Sequence, residues 1–151
     1  MDTSKFTKRI KLKCLPEEVF ERWVTPKGLE GWFLTRASFG GSDRANIGSR
    51  FELEWPEGTT DWGEVITLEE GRLFEFSWYA GRGKVRVNFS PIDTGTLVEL
   101  LQTVASEGDA QMIEFLDCRD GWTFYLTNLK CVIEGGPDLR EKDPDMELVN
   151  C

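Results

Sequence analysis

A chain of 151 residues is the size of one domain and can bury a full core without disulfides or a metal. Its net charge of −9 repels phosphate backbones and anionic bilayers, so nucleic acid and membrane surfaces are not expected partners. Histidine is absent, which removes the commonest general base and the commonest metal ligand.

The first predicted element is a strand of period two. Phe6, Lys8, Ile10 and Leu12 share one parity, with Lys5, Thr7, Arg9, Lys11 and Lys13 on the other. Lys8 breaks the apolar parity near an open end, where a long side chain can reach water. This stretch has no signal-peptide pattern, and no run of 18 apolar residues occurs, so a soluble cytoplasmic protein with no membrane insertion is expected.

Leu15-Pro16-Glu17-Glu18-Val19-Phe20 opens a helix: proline suits the first turn and acidic residues suit its positive end. Val19, Phe20, Trp23 and Val24 lie on one face, and Thr25-Pro26 ends the segment. Residues 27–33 read as a second short helix burying Leu29, Trp32 and Phe33. Residues 39–48, rich in glycine, read as a loop.

Strands then follow at short intervals. Residues 49–55 put Phe51, Leu53 and Trp55 on one side, and residues 61–68 form a glycine-interrupted strand of unclear parity. Residues 72–78 align Phe74, Phe76 and Trp78. After a turn at Gly81-Arg82-Gly83, Val85, Val87 and Phe89 point together, and residues 96–104 complete the set. From residue 109 to about 134 the period becomes helical, with Phe115, Cys118, Trp122, Tyr125, Leu126 and Leu129 among the apolar positions and Gly121 within. Gly121 is read either as permitting close packing on the sheet or as merely tolerated. Gly135-Gly136-Pro137 stops the helix. The predicted organisation is a domain over 1–136 and a charged, extended tail over 137–151, which Met146, Leu148 and Val149 could pin only weakly.

These elements predict an α+β helix-grip fold: a curved antiparallel sheet of about six strands wrapped around a long C-terminal helix, with two short helices after the first strand. A helix lying over a curved sheet leaves a gap suited to a ligand. Six Trp and ten Phe either fill that gap or line it. The expected lining is Trp32, Phe33, Phe51, Leu53, Trp55, Phe74, Phe76, Trp78, Val87, Phe89, Trp122, Tyr125 and Leu126.

Catalytic signals are weak. Gly81-Arg82-Gly83-Lys84 lacks phosphate-loop spacing, and no serine or cysteine has an imidazole to activate it. Glu52 and Glu54 face outward, while Asp61, Glu64 and Glu30 are the carboxylates that could turn toward a cavity. Cys14, Cys118, Cys131 and Cys151 form no metal-spaced cluster and are expected as reduced thiols, with Cys118 and Cys131 as small buried hydrophobes. No cofactor, metal or catalytic residue is assigned.

The order of these segments resembles the START-like (SRPBCC) superfamily, in the branch related to the C-terminal domain of the activator of heat-shock-protein-90 ATPase. The resemblance rests on Leu15 to Phe20, Trp23-Val24-Thr25-Pro26-Lys27-Gly28-Leu29-Glu30-Gly31-Trp32-Phe33, Gly48-Ser49-Arg50-Phe51, Trp62-Gly63-Glu64-Val65, Arg72-Leu73-Phe74-Glu75-Phe76-Ser77-Trp78 and Gly121-Trp122. It implies a helix-grip fold with a cavity beneath the long helix. The expected function is binding or carriage of a small apolar or amphipathic molecule. The alternatives are a protein-interaction or stress-response module with a protein partner, and a cyclase-like enzyme using a cavity carboxylate.

Overall fold

The computed structural model describes residues 1–143. Met146, Leu148, Val149 and Cys151 lie outside the described residues. The elements run β1 (Lys5–Leu12), α1 (Pro16–Val24), α2 (Pro26–Glu30), β2 (Arg36–Phe39), β3 (Arg50–Glu54), β4 (Thr60–Glu69), β5 (Leu73–Trp78), β6 (Gly83–Ile92), β7 (Gly95–Thr103) and α3 (Asp109–Ile133). The strands form one antiparallel sheet in the order β1-β7-β6-β5-β4-β3-β2. This is the predicted helix-grip arrangement with one strand more than expected. The extra strand, β2, pairs Ala37 with Leu53 and Phe39 with Phe51. Four residues are too few to show a period, and the glycine-rich loop expected over 39–48 overlaps the end of β2 at Phe39.

Each element follows from local chemistry. Pro16 and two glutamates start α1, whose buried face is Val19, Phe20, Trp23 and Val24. The Thr25 hydroxyl caps α2, accepting from the Gly28 amide at 3.0 Å. The second helix ends earlier than predicted, at Glu30, because Gly31 caps it. Trp32 and Phe33 therefore sit in the following turn.

The concave face of the sheet carries Phe51 and Leu53, then Val65, then Phe74, Phe76 and Trp78, then Val85, Val87 and Phe89, then Val98 and Leu100, all buried. Alternation along each strand puts these side chains on one side. In β4 the register shifts between Val65 and Thr67, which hides its parity from sequence inspection. Gly63 in that strand is obligatory: a Cβ there would collide with the Ser77 carbonyl.

α3 covers this face but runs closest to β1. The wedge between α3 and the middle strands is therefore filled by large rings. Phe20 meets Phe89 edge-on at 5.3 Å, and Trp23 stacks on Trp122 at 5.8 Å and meets Trp32 at 4.7 Å. Phe39 stacks on Phe51 at 4.7 Å, and Phe51 meets Phe76 edge-on at 5.0 Å. One buried polar pair on this face is bonded, the Trp122 indole donating to Gln102 Oε1 at 2.7 Å, while the indole nitrogens of Trp23 and Trp78 are buried without a partner.

Asp138 and Arg140, which the sequence reading places in an extended charged tail, pack back onto the domain. The Arg140 side chain is 3% exposed and donates to the Leu34 carbonyl at 3.0 Å and the Glu30 carbonyl at 2.8 Å. It also pairs with Asp138 at 2.8 Å. Burial alone would raise the Asp138 pKa, but hydrogen bonds from Arg140, Asn128 and Lys142 outweigh it and hold the carboxyl well below the usual range. Buried Asn128 of α3 donates to the Trp32 carbonyl at 2.9 Å and accepts from the Leu139 amide at 2.7 Å. Together these bonds fix the turn that carries Phe33.

Candidate functional site

At one end of the wedge the rings do not meet, and a cavity of about 420 Å³ opens to the surface. The β3–β4 turn supplies Trp55, Glu57 and Thr59, and the start of β4 supplies Thr60 and Asp61. The end of β5 supplies Trp78, and the β5–β6 turn supplies Tyr79, Ala80 and Arg82. Asp117, Cys118, Gly121, Trp122 and Tyr125 of α3 form the facing wall, and Phe33 closes the inner end. The α3 residues are spaced i, i+1, i+4, i+5 and i+8, which is one helical face.

The apolar walls form a closed circuit of rings. Phe33 meets Trp55 at 5.7 Å, Trp55 meets Trp78 at 6.2 Å, Trp78 meets Trp122 at 5.6 Å and Trp122 meets Phe33 at 5.0 Å. Tyr125 adds an edge-on contact to Phe33 at 4.9 Å. Gly121 leaves the space open: a Cβ built there meets no atom within 4 Å. The expectation that this glycine permits close packing on the sheet does not hold.

Of the thirteen expected lining residues, five come together around the cavity: Phe33, Trp55, Trp78, Trp122 and Tyr125. The others, Trp32, Phe51, Leu53, Phe74, Phe76, Val87, Phe89 and Leu126, are buried in the filled part of the core. The residues that sequence reasoning missed lie in turns or on the mouth: Glu57, Thr59, Thr60, Tyr79, Ala80, Arg82 and Asp117. Turn residues carry no periodic signal that would assign them to a face.

Asp61 has a specific task. Its carboxylate accepts from the amides of Trp62 at 2.7 Å, Tyr79 at 2.7 Å and Ala80 at 3.2 Å. Tyr79 and Ala80 both occupy the left-handed region, with φ of 54° and 56°, and the Gly81 amide closes the turn onto the Trp78 carbonyl at 3.1 Å. Two non-glycine residues in succession thus hold left-handed backbone in the β5–β6 turn, which is tied down by a carboxylate from the neighbouring hairpin. Glu30, another carboxylate raised by the sequence, accepts from the Ala37 amide at 3.1 Å and braces β2 instead.

Behind Tyr79, its hydroxyl lies 3.4 Å from the sulfur of Cys118. Burial, reinforced by this contact, raises the phenol pKa, and burial raises the thiol of Cys118 as well. Both groups stay protonated at neutral pH, so this corner offers a polar handle and no thiolate nucleophile. Cys118 and Cys131 are half-buried rather than fully buried, and Cys14, Cys118 and Cys131 are free thiols. Among the described residues no group of three or more Cys, Asp or Glu could hold a metal ion, and no helix is long and apolar enough to cross a membrane.

A second depression of about 650 Å³ lies on the outer face of β2, β3 and β4. Its charged side chains are engaged with one another: Arg36 pairs with Glu54 at 3.4 Å, Arg50 with Glu52 at 3.8 Å, and Arg50 lies over the Trp62 ring at 4.5 Å. An occupant would meet this charged, mostly self-paired wall. The aromatic cavity instead offers rings at its walls.

Solved structures share the fold. A protein from Staphylococcus saprophyticus superposes with a TM-score of 0.75 at 22% identity, covering 90% of this chain and 96% of the other. The Aha1 dimer from Colwellia psychrerythraea gives 0.72 at 19% identity, covering 87% and 97%. CalU16 from Micromonospora echinospora gives 0.68 at 24% identity, covering 89% and 76%. No curated protein matches at the sequence level. The family model described as "Activator of Hsp90 ATPase homolog 1-like protein" matches residues 13–134, from the end of β1 to the end of α3, and the chain therefore belongs to that family.

Proposed function

We propose that this protein binds or carries a small apolar or amphipathic molecule in the cavity between the sheet and α3. The observation that carries the reading is an open volume of about 420 Å³ walled by a circuit of aromatic rings. Small-molecule sites typically span about 300–1,000 Å³ with mostly apolar walls and a few polar groups. Here the Asp61-braced turn, the Tyr79 hydroxyl and the mouth carboxylates are those polar groups. A void this size persists because α3 leans toward β1 and Gly121 adds no side chain. Native mass spectrometry of gently purified protein should show an adduct of small-molecule mass. Titration with a neutral naphthalene probe should quench tryptophan fluorescence saturably. Absence of both would remove the reading.

A second reading has its own observation. Met112, Ile113 and Leu116 are 41%, 64% and 46% exposed on the outer side of α3, an apolar patch suited to a protein partner. The family description makes an Hsp90 chaperone the partner to test. An Hsp90 ATPase assay with and without this protein, repeated with Ile113→Asp, checks it: stimulation lost in the variant supports it, and no stimulation removes it. The free thiols of Cys14, Cys118 and Cys131 support a reducing, cytoplasmic location, which cell fractionation tests.

A further inference from the structure

The cavity mouth is charged asymmetrically, and this bears on what enters. Three carboxylates line it, Glu57, Asp61 and Asp117, against one cation, Arg82. They are not equivalent. Asp61 is committed to three backbone amides, whose dipoles offset much of its charge. Arg82 is turned back on its own hairpin, with Nε donating to the Tyr79 carbonyl at 3.1 Å. Glu57 in the β3–β4 turn and Asp117 on α3 are exposed, and neither has an ion-pair partner among the described residues. Some other exposed acids are paired, Glu21 and Glu70 with Arg44 and Glu69 with Arg72, and others such as Asp43, Asp93 and Asp120 are not, so Glu57 and Asp117 are set apart by their place at the cavity mouth.

The same cavity is lined by the indoles of Trp55, Trp78 and Trp122. Indole faces are the strongest aromatic partners for an organic cation, and they are indifferent or unfavourable toward an anion. The net charge of −9 adds a long-range field of the same sign. The walls, the mouth and the global field all favour one charge type.

We infer that the occupant is an amphipathic organic cation, its apolar body held among Phe33, Trp55, Trp78 and Trp122 and its ammonium or guanidinium group at the mouth beside Glu57 and Asp117. The inference rests on the reading of the cavity as a binding site. It adds selection by charge, which an aromatic cavity alone does not require. An anionic amphiphile of the same body would meet unpaired carboxylates at the mouth, and desolvating them against it is unfavourable.

The test uses three probes with one naphthalene body: a trimethylammonium, an alcohol and a sulfonate. Each is titrated into the full-length protein at low and at high salt. The cation should bind at least about tenfold more tightly than the sulfonate, with the ratio shrinking as salt screens the mouth. In Glu57→Gln/Asp117→Asn the cation-to-sulfonate ratio should fall toward one. If the alcohol binds and the cation shows no advantage over the sulfonate, charge selection is wrong and the cavity reading survives. If the advantage persists undiminished in the double variant, the mouth carboxylates are not its source and the assignment falls. If no probe binds, the cavity reading and the inference fall together.

Discussion

Gly121 separates an open cavity from a packed core more sharply than any other position. It lies in the interior of α3, where glycine is about 1 kcal/mol less favourable than alanine. A Cβ there meets nothing within 4 Å. Gly121→Ala should therefore recover close to the full propensity term, about 1 kcal/mol, raising the melting temperature by about 2–4 °C for a chain of this size. Gly121→Leu should be equally well tolerated, because the isobutyl group enters the void and gains contact with rings. It should also occupy space that a ligand needs. Losing contact worth one buried side chain costs about 1.5–3 kcal/mol, or about ten- to a hundredfold in Kd. Urea denaturation gives the stability change, and titration with the neutral naphthalene probe gives the affinity. Forcing leucine into a filled interface would instead destabilise by about 1–3 kcal/mol. A destabilised Gly121→Leu would refute the open wedge. A stable Gly121→Leu that binds the probe as well as the parent would refute the placement of the ligand.

Other expectations follow from single contacts. Ala80→Gly should stabilise by about 0.5–1 kcal/mol in denaturation experiments, because it relieves a left-handed alanine at φ 56°, part of the gain being offset by greater freedom of the unfolded chain. Arg140→Ala should cost about 2–3 kcal/mol, since it leaves the Glu30 and Leu34 carbonyls and Asp138 without their buried partner, and removing residues after Gly136 should cost a similar amount. Phe76→Trp should overpack the filled part of the core and lower stability by about 1–3 kcal/mol while probe binding survives in the folded protein, because Phe76 is buried away from the cavity. Burial, then the hydrogen bond to Glu18, raises the Cys14 thiol from 9.0 to about 11. A thiol raised on folding binds its proton more tightly in the native state. Its contribution is thus intact below pH 9.0 and is lost as pH rises through about 11. Urea titrations across that window should show a steeper alkaline loss for the parent than for Cys14→Ala.

The sheet and the long helix were legible because both depend on periodicity. Phe74, Phe76 and Trp78 repeat at period two, and Trp122, Leu126 and Leu129 follow a helical spacing, so each declares a face. Periodicity assigns a side chain to a face but not to a position along a tapering wedge. It therefore grouped Phe51 and Phe76, which fill the core, with Trp55 and Trp78, which border the opening. Asp61 stayed ambiguous because the register shift at Val65 and Thr67 breaks the alternation of β4. Gly81-Arg82-Gly83 announces the β5–β6 hairpin, but the left-handed backbone at Tyr79 and Ala80 gives no signal, since neither residue favours that region. The burial of Arg140 depends on carbonyls at positions 34 and 30, more than a hundred residues away, and a charged residue after a helix stop gives no hint of such partners.

The most direct test of the cavity reads the six tryptophans separately. Each indole N–H gives its own cross-peak in a proton–nitrogen correlation spectrum, assignable by single Trp→Phe substitutions. Trp55, Trp78 and Trp122 border the cavity, Trp23 and Trp32 are sealed in the core, and Trp62 lies on the outer face. Titration with the neutral naphthalene probe should move the peaks of Trp55, Trp78 and Trp122 together along one saturation curve. The peak of Trp62 should stay in place. Shifts confined to Trp62, or no saturable shift in the three cavity tryptophans, would contradict the account.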